Sequence, residues 1–339
     1  QLEMSPLPFL ITEIIASNIG GTATLIGDPP NIMIGSATGL GFMDFILNLT
    51  PVIVVIYVLT IFFLQLLYRK SLIARPELQA NIMKINEQET IKDAPLLRKC
   101  LIVLSLTVLG FILHQYIDLE SSVIALSGAS LLLLVTRRDP EHALHAVEWP
   151  VIFFFIGLFV VVGALKEVGV IEVVARWALD VTGGSIVPTG MLILWLSAIA
   201  SAFVDNIPFV ATMIPLIQDM GQLGGIADLN LFWWSLSLGA CLGGNGTIVG
   251  ASANVVVIGI ADKMGMHISF IEFMKVAFPL MLLSIFISTS YLLFWYYFHT
   301  MTAMGVTLAV GVILGLLLKM VKAKIIYKPA AKSTTGSEN

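Results

Sequence analysis

Charged residues are scarce in this chain of 339 residues, because Asp, Glu, Lys and Arg together make up only 12% of it. Soluble domains carry about twice that share. Hydrophobic residues make up 58% and the mean hydropathy is +0.95. Apolar runs of about 20 residues, enough to cross a hydrocarbon core about 30 Å thick, recur along the chain. The composition excludes a soluble globular domain and a nucleic-acid partner, and it predicts an all-α, multi-pass protein of the lipid bilayer.

Cysteine and histidine are scarce as well, with two and five residues. Cys100 and Cys241 give neither a disulfide framework nor the spacing of metal ligands, and the histidines show no metal spacing either. We therefore expect no cofactor and no metal beyond Na⁺ as a coupling ion. Cys241 lies beside a Gly-Gly pair, where a thiol can contact a thiophilic ligand, although a small buried thiol is the simpler interpretation.

Lys and Arg are absent from residues 1–68, 100–136 and 177–262. They cluster instead in residues 69–99, at Arg137 and Arg138, at Lys263 and Lys275, and from Lys319 to Lys332. The positive-inside rule places each cluster in the cytoplasm. We predict a cell (inner) membrane protein whose loop 69–99 and C-terminal tail are cytoplasmic. Because the chain begins with Gln and shows no signal-peptide pattern, we expect a fragment or a processed product.

A segment near the start of the chain recurs near its end. Residues 20–31 (GGTATLIGDPPN) align without a gap on residues 243–254 (GGNGTIVGASAN). Both copies hold a Gly-Gly pair, a Thr followed by two aliphatic residues, a later Gly and a final Asn. Apolar segments interrupted by Gly and Pro at matching places in two halves of a chain predict the binding site of a secondary transporter.

The order of the apolar spans predicts two repeats. Residues 1–68 form the end of the first repeat, with an interrupted helix at 7–37 whose first part ends near Asn18, a connection with an interfacial helix at 38–49, and a span at 50–68. Residues 69–99 form a loop. Residues 100–298 form the second repeat, and residues 299–339 add an extra span at 304–319 and a basic tail.

The second repeat is predicted to hold several spans and two special segments. Its elements are spans at 100–114, 121–136 and 150–165, an amphipathic surface helix at 170–181, a re-entrant hairpin at 188–217, an interrupted helix at 229–262, an interfacial stretch at 267–274 and a span at 276–297. The hairpin follows from length, because about ten residues after Pro208 extend only about 15 Å, half of a bilayer. Counting spans outward from loop 69–99 makes the two interrupted helices antiparallel, so we predict inverted repeats.

A broken helix exposes N–H groups at one end of the break and carbonyl groups at the other. The N–H groups favour an anion and the carbonyl groups favour a cation, while glycines let a ligand approach the backbone closely. Neutral oxygen and amide ligands suit Na⁺ or a hydrated oxyanion. The predicted substrate and ion site comprises Asn18, Gly20, Gly21, Thr24, Asp28, Asn31, Asp205, Asn206, Gly243, Gly244, Asn245, Thr247, Ser252 and Asn254.

Carboxylates at membrane depth are functional candidates by default, because burying them is costly. Asp28 precedes Pro29 and can also cap a helix, with Pro at the first helical position. Asn206 and Ser252 can act as caps in the same way, and the glycines can serve packing alone. Glu13, within an apolar helix, is either a coupling carboxylate or a hydrogen-bonded structural one.

The sequence resembles the ion transporter superfamily, and more narrowly the branch that holds the melanosomal P protein, the ArsB/NhaD-type permeases and the citrate-transporter-like domain. The resemblance rests on residues 16–31 (ASNIGGTATLIGDPPN) and 201–208 (SAFVDNIP), and it covers about residues 1–298. It implies two hairpins and two broken helices around a midplane site, a scaffold domain, a homodimer and elevator-like motion. The first hairpin of the family is expected before residue 1.

We therefore predict a secondary active carrier of a small ion, coupled to Na⁺ or H⁺, of the arsenite/antimonite or Na⁺/H⁺ type. The alternative substrate is citrate or a dicarboxylate, which is less favoured because no basic side chain lies near either repeat. A channel and an intramembrane aspartyl enzyme using Asp28 and Asp205 are the competing classes. The duplicated Gly, Thr and Asn frame argues against the enzyme, because an aspartyl mechanism does not need it.

Overall fold

The computed structural model describes residues 6–69, 71, 91, 93–117, 119–137, 139–147 and 149–298, together with the single positions 305 and 309. The predicted extra span at 304–319, the tail and most of loop 69–99 lie outside the described residues. Regular structure in the described part is helical: α1 Leu7–Thr22, α2 Pro29–Thr38, α3 Phe42–Leu67, α4 Ala94–Ile117, α5 Ser121–Thr136, α6 Pro140–His145, α7 Trp149–Glu167, α8 Val170–Thr182, α9 Ile186–Phe203, α10 Asn206–Gly224, α11 Asn230–Gly243, a 3-10 turn Ile248–Gly250, α12 Ser252–Lys263 and α13 Phe270–Phe298.

Five of the described helices are long and apolar enough to cross a membrane. They are α3, α7, α9, α13 and the first 21 residues of α4, Ala94–His114. The all-α, multi-pass fold predicted from composition is confirmed. The inverted orientation of the repeats stays a prediction.

The first interrupted helix consists of α1 and α2, separated by residues 23–28. Its first part ends at Thr22, four residues beyond the predicted end near Asn18. The expectation that the break begins at Gly20 was wrong, because glycine weakens a helix by only about 1 kcal/mol. The buried isoleucines of α1, such as Ile15 and Ile19, supply enough packing to extend the helix over that cost.

The second interrupted helix consists of α11 and α12, with residues 244–251 between them. Every residue of α11 except Asn230 is buried, so this helix lies at the centre of the molecule. It packs closely against α9, because glycines on α11 leave room for the α9 backbone. A Cβ atom on Gly239 would lie 2.5 Å from the carbonyl oxygen of Leu194, and one on Gly243 would lie 2.6 Å from that of Ala198.

Two predicted interfacial helices are instead the first turns of long helices. α3 runs without a break through the predicted connection 38–49 from Phe42 and contains Pro51, and α13 runs through 267–274 from Phe270 and contains Pro279. The predicted starts of these spans, next to Pro51 and Pro279, were therefore wrong. A proline removes one backbone hydrogen-bond donor, but it does not end a helix whose residues on both sides are apolar.

The predicted hairpin is formed by α9 and α10, which meet at Val204 and Asp205. Its second arm was expected to end near residue 217, but α10 has 19 residues, reaches Gly224 and contains Pro215. At about 1.5 Å per residue this arm is about 28 Å long. The length argument for a half-membrane arm therefore fails, and a re-entrant course stays a prediction. The surface helix predicted at 170–181 matches α8 closely.

Candidate functional site

The two breaks have the same local geometry, as the sequence repeat predicts. In the first break a Cβ atom on Gly21 would lie 2.5 Å from the carbonyl oxygen of Gly27. In the second break a Cβ atom on Gly250 would lie 2.7 Å from the carbonyl oxygen of Gly244. Gly27 aligns with Gly250, and Gly21 aligns with Gly244. Both breaks thus depend on glycine where two stretches of backbone touch.

An asparagine after each break binds the carbonyl groups that the break releases. The Asn31 side-chain amide donates to the carbonyl oxygens of Thr22 at 3.1 Å and Thr24 at 3.0 Å. The Asn254 side-chain amide donates to the carbonyl oxygens of Gly244 at 2.8 Å and Thr247 at 2.9 Å. These bonds satisfy backbone acceptors that a broken helix leaves unpaired in the buried interior.

The two broken helices also hold each other through a reciprocal contact. Asn18 of α1 donates from its side-chain amide to the side-chain oxygens of Asn254 at 2.8 Å and Asn245 at 2.9 Å. Cys241 aligns with Asn18 in the repeat, and its thiol lies 3.6 Å from the side-chain oxygen of Asn31, which aligns with Asn254. A contact and its mirrored counterpart are typical of a local two-fold relation.

The hairpin tip lies across both broken helices. The side-chain amide of Asn206 reaches Oδ1 of Asp28, at the start of α2, with a distance of 3.4 Å. The hydroxyl of Ser252, at the start of α12, donates to Oδ2 of Asp205 at 2.8 Å. The N-terminal ends of α2, α10 and α12 therefore meet at the tip.

Asp28 and Asp205 differ in how their oxygens are bound. Asp28 is 8% exposed, and its Oδ2 has no partner at hydrogen-bond geometry among the described residues, although the Cys241 thiol is close enough to interact with the carboxylate. Asp205 is half-buried, its Oδ1 accepts from the Ile207 N–H at 3.0 Å and its Oδ2 accepts from Ser252. The two carboxylates are close enough to interact electrostatically. Asp28 thus has a free acceptor in the protein interior, where such a group costs free energy.

The electrostatic environment of Asp28 is set by the helix ends around it and by the Asp205 carboxylate. In the described part of the chain, no ion pair involves Asp28. The same residues include no group of three or more His, Cys, Asp or Glu side chains that could hold a metal ion. The start of α2 offers few amide donors, because Pro29 and Pro30 lack an N–H and the Asn31 N–H donates to the Asp28 carbonyl oxygen. This end suits a cation or a proton better than an anion.

The predicted site residues fall into three groups in the structure. Side-chain bonds bring nine of them into the cluster: Asn18, Asp28, Asn31, Asp205, Asn206, Asn245, Thr247, Ser252 and Asn254. Backbone contacts bring in three more, which are Gly21, Thr24 and Gly244. Gly243 packs against α9. Gly20 is exposed and has open space around it, so the structure does not bring it into the cluster. Glu13 is also exposed, away from the cluster, on α1.

Sequence reasoning missed Ser237, which donates to the side-chain oxygen of Asn31 at 2.6 Å. It also missed Thr22, whose carbonyl oxygen accepts from Asn31. The repeat alignment, carried back from residue 20, places Ser237 opposite Ile14, so the repeat itself gives no signal for Ser237. The available signal is local, because Ser237 lies one helical turn before Cys241. Cys241 itself is fully buried, as expected of a small structural thiol.

Comparison with known proteins gives concordant matches. A family model described as Citrate transporter (CitMHS) matches residues 1–239. An uncharacterized transporter of Mycobacterium tuberculosis is 44% identical over 293 residues, which cover 86% of this chain and 68% of that protein. The 46 kDa membrane protein of Mycobacterium leprae is 41% identical over 293 residues, which again cover 86% of this chain and 68% of that protein. The P protein of Mus musculus is 34% identical over 372 residues, covering 86% of this chain and 44% of that protein.

Proposed function

This chain belongs to the citrate transporter family CitMHS, and we propose from that premise that it works as a secondary active carrier of a small ion. Its family and its relatives are described as transporters and five of its described helices can cross a membrane, which supports a multi-pass transporter rather than an enzyme. The proposed site lies where the two broken helices and the hairpin tip meet.

The observation that carries the proposal is the free Oδ2 of Asp28. It is a buried acceptor at the start of α2, in a part of the chain without Lys or Arg. A carrier has to bind and release charge in such a place, whereas a purely structural carboxylate would have its oxygens satisfied. We propose that Na⁺ or H⁺ binds at Asp28 as the coupling ion, and that the carried species is arsenite, antimonite or Na⁺ itself.

Citrate or a dicarboxylate is the second candidate substrate. The family description supports it, and so does the start of α12. There Ala251 and Ser252 replace Asp28 and Pro29 of the first repeat, so the first turn keeps its N–H groups. Helix N-termini of this kind attract carboxylates.

The proposed function is tested by flux into proteoliposomes that contain the protein. Uptake of labelled Na⁺, arsenite and citrate is measured separately, with and without an imposed proton or Na⁺ gradient. We expect saturable, gradient-driven uptake of one of them in the wild type and its loss in Asp28→Asn. Asp228→Asn is the matched control, because Asp228 is exposed and Asn can still accept from the Asn230 N–H as Asp228 does. Uptake that rises linearly with concentration would instead indicate a channel.

The competing enzyme class finds no support in the site. An aspartyl mechanism needs two carboxylates with free oxygens facing each other across a substrate. Both oxygens of Asp205 are engaged by Ile207 and Ser252. Absence of peptide cleavage in the same vesicles, alongside uptake, is the expected result.

Topology and assembly complete the proposal. We propose that loop 69–99 and the tail face the cytoplasm, that the repeats are inverted in the cell membrane, and that the protein forms a homodimer. The reciprocal contact between the broken helices supports the inverted arrangement. Labelling of single cysteines placed at residues 85 and 117 by an impermeant maleimide tests the orientation, since the two positions are expected on opposite sides.

A further inference from the structure

The first arm of the hairpin is firmly attached to the second broken helix. The Ser201 hydroxyl donates to the Ala240 carbonyl oxygen at 2.7 Å. The Thr247 hydroxyl donates to the Ala202 carbonyl oxygen at 2.5 Å. A Cβ atom on Gly250 would lie 2.7 Å from the Ser201 carbonyl oxygen, so the two backbones are in direct contact. These contacts are buried and leave no room for a ligand between the two elements.

Asp205 continues this attachment to the end of the hairpin. It is the N-cap of α10, with Oδ1 accepting from the Ile207 N–H at 3.0 Å. Its Oδ2 accepts from the Ser252 hydroxyl at 2.8 Å. The same side chain therefore fixes the turn inside the hairpin and ties that turn to the start of α12. One bond to each oxygen fixes the orientation of the carboxylate, whereas Oδ2 of Asp28 has none among the described residues.

The opposite side of the tip has a longer polar link, although α10 also packs against α2 there. The polar link to the first broken helix that the described residues show is the 3.4 Å contact from the Asn206 amide to Oδ1 of Asp28. This distance is at the long end of hydrogen bonds, so the bond is weak. Among the described residues, Oδ2 of Asp28 has no hydrogen-bond partner. The tip is thus bonded closely on its α12 side and meets an unfilled acceptor on its α2 side.

We infer that Asp205 is a positioning residue whose bond to Ser252, called the latch below, holds the hairpin tip on the second broken helix. A ligand then enters at the contact between Asn206 and Asp28, called the seam below. That a ligand binds at the seam rests on the proposed function, whereas the latch between Asp205 and Ser252 does not. The inference gives the two carboxylates separate roles. Asp28 touches the bound species, and Asp205 holds the tip in place through Ser252.

Substitution of Asp205 separates a latch from a ligand. Asn caps a helix as well as Asp does, its side-chain oxygen accepts from Ile207 and its amide can donate to Ser252. Asp205→Asn therefore keeps the latch and removes the charge, whereas Asp205→Ala removes both. Ser252→Ala removes only the link to α12.

Amide hydrogen exchange of the purified protein, followed by mass spectrometry over residues 203–209 and 250–256, measures the latch without any substrate. We expect Asp205→Asn to exchange within about twofold of wild type, and Asp205→Ala roughly tenfold faster in both segments. Ser252→Ala should speed exchange in both segments, in 203–209 less than Asp205→Ala does because the cap to the Ile207 N–H remains; exchange in 203–209 that stays at the wild-type rate in Ser252→Ala also overturns the latch. Exchange in Asp205→Ala as slow as in wild type, or in Asp205→Asn as fast as in Asp205→Ala, overturns the latch.

Uptake of labelled Na⁺, arsenite and citrate by the same variants tests the seam. Because Asp205 interacts electrostatically with Asp28, we expect Asp205→Asn to keep saturable uptake with a moderately raised KM for a cation, and Asp205→Ala to lower the maximal rate as well. Loss of uptake in Asp205→Asn with unchanged exchange would show that Asp205 is a ligand and overturn the division of roles. A wild type that takes up none of the three refutes the proposed function, while the exchange result still decides the latch.

Discussion

Replacing Asp28 by Asn should abolish transport and at the same time stabilise the fold. Asn has almost the same shape, and its side-chain oxygen can still accept from Asn206 as Oδ1 does. What changes is the other atom, because the unpartnered Oδ2 becomes an amide group without charge. The variant therefore removes a buried ionisable group and leaves the packing around it in place.

The size of each effect follows from burial. An unsatisfied polar group in the interior costs about 1–3 kcal/mol, and more when it is charged. Part of that cost remains for the Asn amide, so we expect a gain in the free energy of unfolding of about 1–2 kcal/mol. A change of 1 kcal/mol shifts the Tm of a domain of 150–250 residues by about 2–4 °C. Removing one partner of a buried charge pair costs about 2–5 kcal/mol, so binding of the coupling cation should weaken at least roughly thirtyfold.

Two measurements on one preparation check both parts. Thermal unfolding in detergent gives the shift of Tm, and proteoliposome uptake gives the flux. Asp228→Asn, at an exposed position just before α11, should change neither. An Asp28→Asn protein that transports like wild type would refute the assignment of the binding carboxylate. One that unfolds well below the wild-type Tm would show that Asp28 is a structural acceptor after all.

Three further substitutions test the frame around the site by thermal unfolding. Asn254→Ala leaves two buried carbonyl oxygens unpaired and should lower the free energy of unfolding by about 2–4 kcal/mol. One hydrogen bond contributes about 1 kcal/mol, so a decrease below roughly 0.5 kcal/mol would contradict this. Gly250→Ala places a methyl group against backbone and should prevent normal folding, seen as loss of monodisperse protein, whereas Gly259→Ala has open space on α12 and should be neutral or stabilising by up to about 1 kcal/mol. Tyr291→Phe loses its hydrogen bond to the Asn48 carbonyl oxygen, which ties α13 to α3, and should cost about 1 kcal/mol; an unchanged Tm would show that this bond adds nothing.

The sequence predicts the helix breaks well and their limits poorly. Pro29 starts α2 because a proline at the first helical position needs no N–H partner, and that signal is local. The end of α1 is different, because packing of its isoleucines carries the helix through Gly20 and Gly21. The same holds for α3, whose continuity across Pro51 depends on apolar contacts on both sides. Tertiary packing outweighs local propensity at each of these points.

The candidate site shows the same division between local and distant causes. The repeat identified Asn31 and Asn254, since the same amide recurs at one position of both copies, whereas Asn18 lies before the repeat and has Cys241 opposite it. Which of the two carboxylates keeps a free oxygen depends on Ser252 and Asn206, which reach Asp205 and Asp28 from other elements. No spacing along the chain reports such a partner, so both carboxylates look alike in the sequence.

The repeats keep one frame and differ in the chemistry they place on it. Asp28 and Ala251 occupy the same position with nearly the same backbone angles, φ −144° and ψ 137° against φ −149° and ψ 144°. In the first repeat this position carries a carboxylate followed by two prolines, so the end of the helix offers negative charge and few N–H donors. In the second it carries a methyl group followed by Ser252, so the end keeps its positive dipole. The anion that the start of α12 meets in this structure is the carboxylate of Asp205, which accepts from Ser252, so among the described residues the two halves leave one carboxylate engaged and one with an unfilled acceptor. That asymmetry leaves the first repeat as the half that is free to bind a cation.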